Sequence, residues 1–187
     1  MKRIISLSLS ATVSSLLMSS VLHAQTQETY NAPKCEYHAK RLTGPRMGIS
    51  YAIPDGKKLR QTLRENDMGP FLSQFGWHFE WLVEPQRGGP AFVIEGVPFI
   101  GGVEYGTVVP SVTLAMGVRL PSGYEFGMGP MAYFSGDENS PVGSSLVIAF
   151  GKSLDFSGVS IPLNLAVATS PTGTQVSFIF GYAITRN

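Results

Sequence analysis

From Val159 to the end of the chain, large and small side chains alternate. Val159, Ile161, Leu163, Leu165 and Val167 are interleaved with Ser160, Pro162, Asn164, Ala166 and Ala168. Val176, Phe178, Phe180, Tyr182 and Ile184 are set against Gln175, Ser177, Gly181 and Ala183, and only Ile179 breaks the rule. Successive side chains of a strand point to opposite faces, so each run predicts a strand with one apolar and one small, uncharged face. A half-buried strand of a water-soluble sheet would usually carry Lys, Glu, Arg or Thr on its wet face. Gly, Ala and Ser there suit a crowded barrel interior, with the apolar face turned to lipid.

The same parity runs backwards through the chain. Arg46 to Ile53 sets Met47, Ile49, Tyr51 and Ile53 against Arg46, Gly48, Ser50 and Ala52. In Phe71 to Val83, Phe71, Phe75, Trp77, Phe79, Trp81 and Val83 share a face, broken only by Ser73, opposite Gln74, Gly76, His78 and Glu80. Five aromatic rings on one face fit a lipid-facing band with Trp77 and Trp81 towards its edges. Pro90 to Ile100 is apolar in both phases; Glu95 is assigned inward, because a carboxylate on the lipid face is costly. Thr107 to Leu120 places Val108, Val112, Leu114, Met116 and Val118 outward and Arg119 inward, and Tyr124 to Phe134 places Phe126 and Met128 outward and Glu125 inward. Ser145 to Leu154 adds Leu146, Ile148 and Phe150 to the outer face. With the two closing runs these make eight strands, mostly of the roughly 9 to 11 residues needed to cross a bilayer at a tilt. The expected lipid-facing band is Phe75, Trp77, Phe79, Trp81, Phe126, Phe178, Phe180 and Tyr182.

Between the strands, Pro54-Asp55-Gly56 signals a turn, and Lys57 to Met68 reads as one short basic helix ended by Gly69-Pro70. The segments after the first and fifth strands, including Ser135 to Pro141, are expected to be the long ones and to emerge at one end. Pro121-Ser122-Gly123 and Asp155 to Gly158 are tight turns for the other end.

The N-terminus reads as a secretory signal over residues 1–24. Lys2 and Arg3 precede the apolar, Ser-rich stretch Ile4 to Leu22, and Leu22-His23-Ala24 offers a cleavage site. Residues 25–44 lack periodicity and are expected to form a flexible periplasmic lead-in, which leaves 45–187 for the barrel. Charged residues make up 14% of the chain, against roughly a quarter in an average soluble domain. They are unevenly spread: Pro33 to Gly69 holds 12 in 37 residues, Tyr105 to Asn187 only 7 in 83. The second half is therefore too poor in charge to build an ordinary soluble surface. The net charge of +1 argues against nucleic acid as a partner. The single Cys35 can form neither an internal disulfide nor a thiolate metal site.

On strand number, alternation and signal segment, Arg46 to Ile184 resembles the small eight-stranded bacterial outer-membrane barrels. The resemblance implies an all-β, antiparallel, up-and-down barrel with one short helical insertion after the first strand. It also implies contact with outer-membrane lipid and an envelope protein as a possible partner.

Candidate chemistry is confined to the inward face, where Arg46, Gln74, His78, Glu80, Glu95, Arg119 and Glu125 are expected to form a polar lumen network. Opposite charges that satisfy one another are the structural reading of such a set; an acid–base cluster is the functional one. Gly101-Gly102 and Gly127-Met128-Gly129 lack the strand–loop–helix setting of a phosphate loop, and Asp137-Glu138-Asn139 lacks the alternating spacing of a calcium loop. No catalytic residue, cofactor or metal is expected. The function expected is a non-enzymatic outer-membrane barrel with a structural or accessory role in the cell envelope. One alternative is a periplasmic, lipocalin-like lipid-binding barrel with its apolar residues inward. Another is a lipid A acyl-modifying enzyme built on His78.

Overall fold

The computed structural model describes residues 36–53, 57–65, 67–137, 140–171 and 173–186. The signal segment, most of the lead-in, the 54–56 turn and the acidic tip at 138–139 lie outside the described residues. The chain runs through β1 (Tyr37–Ile53), α1 (Lys57–Glu65), β2 (Phe71–Pro85), β3 (Ala91–Gly101), β4 (Val109–Arg119), β5 (Tyr124–Asp137) and β6 (Ser140–Phe156). It continues through β7 (Val159–Ser170) and β8 (Gly173–Gly181), and past Tyr182 the same stave resumes as β9 (Ala183–Arg186). From β1 to β8 every strand pairs antiparallel with its sequence neighbour, β9 pairs with β7 and β1, and β1 pairs with β2 on one side and with β8 and β9 on the other. The sheet is thus a closed barrel of eight staves.

The break at Tyr182 has a chemical cause. In an antiparallel strand a residue's N–H and C=O point to the same neighbour. Pro45 accepts a hydrogen bond from the Tyr182 N–H at 3.3 Å, so its missing N–H would also have faced the last stave. The ladder loses a donor there. Beside it, Gly44 comes so close that a Cβ would stand 1.9 Å from the Tyr182 carbonyl oxygen. On the other flank, the β7 ladder passes from Leu163↔Phe180 to Ser160↔Ala183, skipping Ile161 and Pro162, a second residue without an N–H.

Side-chain facing follows parity. Phe75, Trp77, Phe79, Trp81, Phe126, Phe178, Phe180 and Tyr182 all project from the outer wall and are exposed. Their inward neighbours, among them Arg46, Ser50, His78, Glu80, Glu125, Ser153 and Ser177, are buried. In β3, Ala91, Val93, Val97 and Phe99 are buried in phase with Glu95 while Phe92 and Ile100 are exposed, which resolves the ambiguous run. Ile179, the exception to parity in the last stave, turns inward and packs against Val147, Ala166 and Ala168.

Two boundaries differ from the sequence reading. β1 begins at Tyr37, so residues 37–44, expected in the lead-in, belong to the wall and pair with β2 from Tyr37↔Pro85 onward. This stretch has no apolar alternation because it prolongs the wall past the greasy band; Lys40 instead forms an ion pair with Glu84. Likewise β5 and β6 extend to Asp137↔Ser140, so most of the loop expected at Ser135 to Pro141 is strand. Connections after odd-numbered strands lie at one end, with α1 and a 3₁₀ turn at Val103–Tyr105. The tight turns lie at the other. Ser157 and Gly158 there have φ of 49° and 91°, the paired positive angles of a two-residue hairpin turn whose twist matches the strands.

The facing yields a direct test. Phe178→Arg places a charge on the outer wall and is expected to cost about 2–4 kcal/mol in lipid near the bilayer midplane, read as a lower urea midpoint in liposomes. Ala168→Ser, on the inner face, is expected to stay within about 0.5 kcal/mol of wild type. Reversal of that order would reverse the faces.

Candidate functional site

The charged lumen residues come from five consecutive staves, β1 to β5. His78 and Glu80 stand two apart on β2 and so share the inner face, with fractional exposures of 0% and 2%. Glu80 lies directly across from Glu95 of β3 in the ladder. Two carboxylates opposite each other repel, so the pair needs compensating groups. Arg119 of β4 supplies them to Glu80: its Nη1 is 2.7 Å from Glu80 Oε1 and its Nη2 donates to Oε2 at 2.8 Å. The same guanidinium donates through Nε to Oε1 of its cross-strand neighbour Glu125 at 2.5 Å. Ser153 of β6 donates its hydroxyl to that carboxylate as well. Arg119 therefore ties β2, β4 and β5 together across the lumen.

On the other side of the pair, His78 Nε2 lies 3.3 Å from Glu80 Oε2 and 3.7 Å from Glu95 Oε1. It makes a hydrogen bond with neither, and Nδ1 has no partner. Arg46 of β1 is 2% exposed and close enough to Glu95, Glu80 and Glu125 for electrostatic attraction. Its Nη1 and Nη2 nevertheless make no hydrogen bond. The ladder places it opposite Gly76 and Gly181, and Gly181 leaves room for its length, since a Cβ there would stand 3.0 Å from Arg46 Cδ. Of the seven residues read from sequence, the structure gathers Arg46, His78, Glu80, Glu95, Arg119 and Glu125. Gln74 faces the lumen beside Gly48, further towards the α1 end, and adds no hydrogen bond to the cluster.

Two polar contacts escaped the sequence reading. Ser153 holds Glu125, and Ser50 of β1 bonds Ser177 of β8 at 2.7 Å where the barrel closes. Parity could have found both; nothing in a lone serine distinguishes a network member from a small packing residue. Among the described residues, His78, Glu80 and Glu95 also form a set of potential metal donors whose ligand atoms lie within 4.8 Å of one another.

The mouth at the α1 end has a second polar feature. Glu104, in the 3₁₀ turn, accepts the Ser73 N–H at 2.7 Å and the Ser73 hydroxyl. Tyr105 donates its hydroxyl to the Phe71 carbonyl at 2.9 Å. These bonds pin the β3–β4 connection onto the start of β2. Slight desolvation raises the Glu104 carboxyl, but hydrogen bonds from Ser73 and from its own backbone outweigh this and hold it below the usual carboxylate range.

Arg119→Met is expected to lower stability by about 3–5 kcal/mol, because two buried carboxylates lose their guanidinium. Arg46→Met, which breaks no hydrogen bond from the terminal nitrogens, is expected to cost less. Urea midpoints in lipid check the order, and a greater loss for Arg46→Met would transfer the organising role to it. At the mouth, a depressed carboxyl stabilises the fold above its unfolded value, about 4.3, and that contribution is lost as pH falls through the lower folded value. The melting-temperature gap between wild type and Glu104→Gln should therefore shrink on acidification. A gap independent of pH would exclude the ionised carboxylate as its source.

No family model matches the sequence, and no curated protein sequence matches it. Among solved structures, the chain is similar to Ail, the attachment invasion locus protein of Yersinia pestis. The TM-score is 0.41 with 10% sequence identity, over 79% of this chain and 97% of Ail. A second structure of Ail, in complex with the heparin analogue sucrose octasulfate, gives 0.42 and 9% identity over 81% and 99% of the two chains.

Proposed function

We propose that this protein is a bacterial outer-membrane β-barrel without enzymatic activity, acting as a structural or accessory component of the cell envelope. The observation that carries the reading is the outer wall. Residues from Met47 on β1 to Ile184 on β9 present large apolar side chains outward and exposed, far more than a soluble monomer leaves in one contiguous patch. Closure satisfies the backbone ladder without an edge, which a hydrocarbon environment demands of any spanning sheet. No described helix is long and apolar enough to cross a membrane, so strands would do the spanning.

The occupied lumen argues against a wide channel. Arg46, His78, Ser50 and Pro162 are fully buried inside it, as expected where eight strands leave an interior little wider than its side chains. The lipocalin-like alternative needs apolar residues inward around a ligand, whereas Phe178, Trp77 and their kind point outward. The lipid-modifying alternative needs His78 at a rim that acyl chains can reach. With 0% exposure beneath the charge network, His78 is walled off from lipid. An accessory role falls to the end bearing α1 and the Val103–Tyr105 turn, where most of the described non-strand residues collect.

Fractionation of the expressing cell is expected to recover the protein with the outer membrane, extractable only with detergent. A monodisperse soluble monomer from the periplasm would overturn the reading. For the absence of enzyme activity, lipid A from wild-type, deletion and His78→Ala strains is expected to give identical mass spectra. A product missing from both mutant strains, with the variant barrel folded and abundant, would establish a catalytic role instead.

A further inference from the structure

We propose that the lumen holds one divalent first-row transition ion, of the zinc class, bound by His78 Nε2 and by carboxylate oxygens of Glu80 and Glu95. The spacing is the first argument. Donors sharing a tetrahedral ion at bond lengths of about 2.0–2.1 Å stand roughly 3.3–3.5 Å from one another. His78 Nε2 is 3.3 Å from Glu80 Oε2 and 3.7 Å from Glu95 Oε1, and all three ligand atoms fall within 4.8 Å. For a direct hydrogen bond these separations are long, and Nε2 makes none. A fully buried imidazole with neither nitrogen satisfied is a costly feature, and a bound ion removes the deficit at Nε2.

Charge is the second argument. Arg46 and Arg119 face three carboxylates in this cluster, Glu80, Glu95 and Glu125, so with neutral His78 one negative charge is left for a cation. Arg119 donates a hydrogen bond to Glu80 Oε2 and stands in ion-pair contact with Oε1, which accepts no hydrogen bond; it orients the carboxylate as an outer-shell partner does in a metal site. Space is the third. Glu95 borders a lumen cavity of about 40 Å³, lined also by Ala115, Glu125, Ala149 and Asn164. That exceeds the roughly 10–15 Å³ one water requires, so there is room for a water on the Glu95 side of the donor set, the one donor that lines the cavity. One imidazole and two carboxylates suit zinc or a neighbouring ion; magnesium and calcium favour all-oxygen sets.

The test uses the full mature barrel, purified in detergent, stripped with chelator and titrated with Co²⁺ and then Zn²⁺. The expected result is one ion per chain, with the visible absorption of four-coordinate Co²⁺, bleached by Zn²⁺. His78→Ala and Glu95→Gln should each weaken binding by about 10-fold or more, while His38→Ala, at an exposed histidine near the start of β1, should leave it unchanged. Heat-modifiable gel migration reports whether each variant is folded. Should His78→Ala not fold, Glu95→Gln decides, together with a rise in wild-type melting temperature on adding Zn²⁺ to the stripped protein. No saturable binding, no such rise, binding retained in both lumen variants, or loss in His38→Ala overturns the proposal.

Discussion

Everything in this molecule depends on closing the sheet. A spanning segment in hydrocarbon must satisfy each backbone N–H and C=O from within the protein, and a sheet does so only when its first and last staves pair. Here the seam runs between β1 and the β8–β9 stave, and its ladder is interrupted at Gly44 and Pro45. Pro45 removes a donor, Tyr182 interrupts the strand, and Gly44 admits the backbone that the interruption brings close. The seam is secured from inside by the Ser50–Ser177 bond and remains continuous above and below the break.

Closure also makes the interior a confined space. Charges that would be solvated at the surface of an open sheet must answer one another there. Arg119 spans three staves to reach Glu80 and Glu125, which compensates the cross-strand clash of Glu80 with Glu95 only in part. The remainder falls to Arg46 and His78, whose terminal nitrogens lack hydrogen-bond partners. A small barrel lumen is thus rigid on the Arg119 side and electrostatically incomplete on the His78 side. That asymmetry is the reason an ion suits one half of the cluster and not the other.

The mouth at the α1 end obeys different physics. The wall there rises beyond the apolar band, and short polar contacts such as Glu104 with Ser73 hold the β3–β4 connection down. Those contacts are exposed and pH-sensitive, whereas the lumen network is shielded.

Alternation within each run was enough to mark eight strands and, outside the doubly apolar β3 run, the face each side chain takes, because successive side chains of a strand point to opposite faces. It also named the inward charged residues Arg46, His78, Glu80, Glu95, Arg119 and Glu125. It missed the first turns of β1, since Tyr37 to Gly44 stand outside the apolar band and carry no greasy face, and for the same reason it read the extended β5–β6 hairpin as a loop. Pairing within the lumen was decided by tertiary structure alone. Parity says that Arg46 and Arg119 both point inward, but not which of them meets Glu80. Strand tilt and register bring Arg119 to that carboxylate across β3 and leave Arg46 opposite two glycines. Which charges meet inside a barrel depends on the stagger between staves, and stagger is a property of the closed sheet that no single strand encodes.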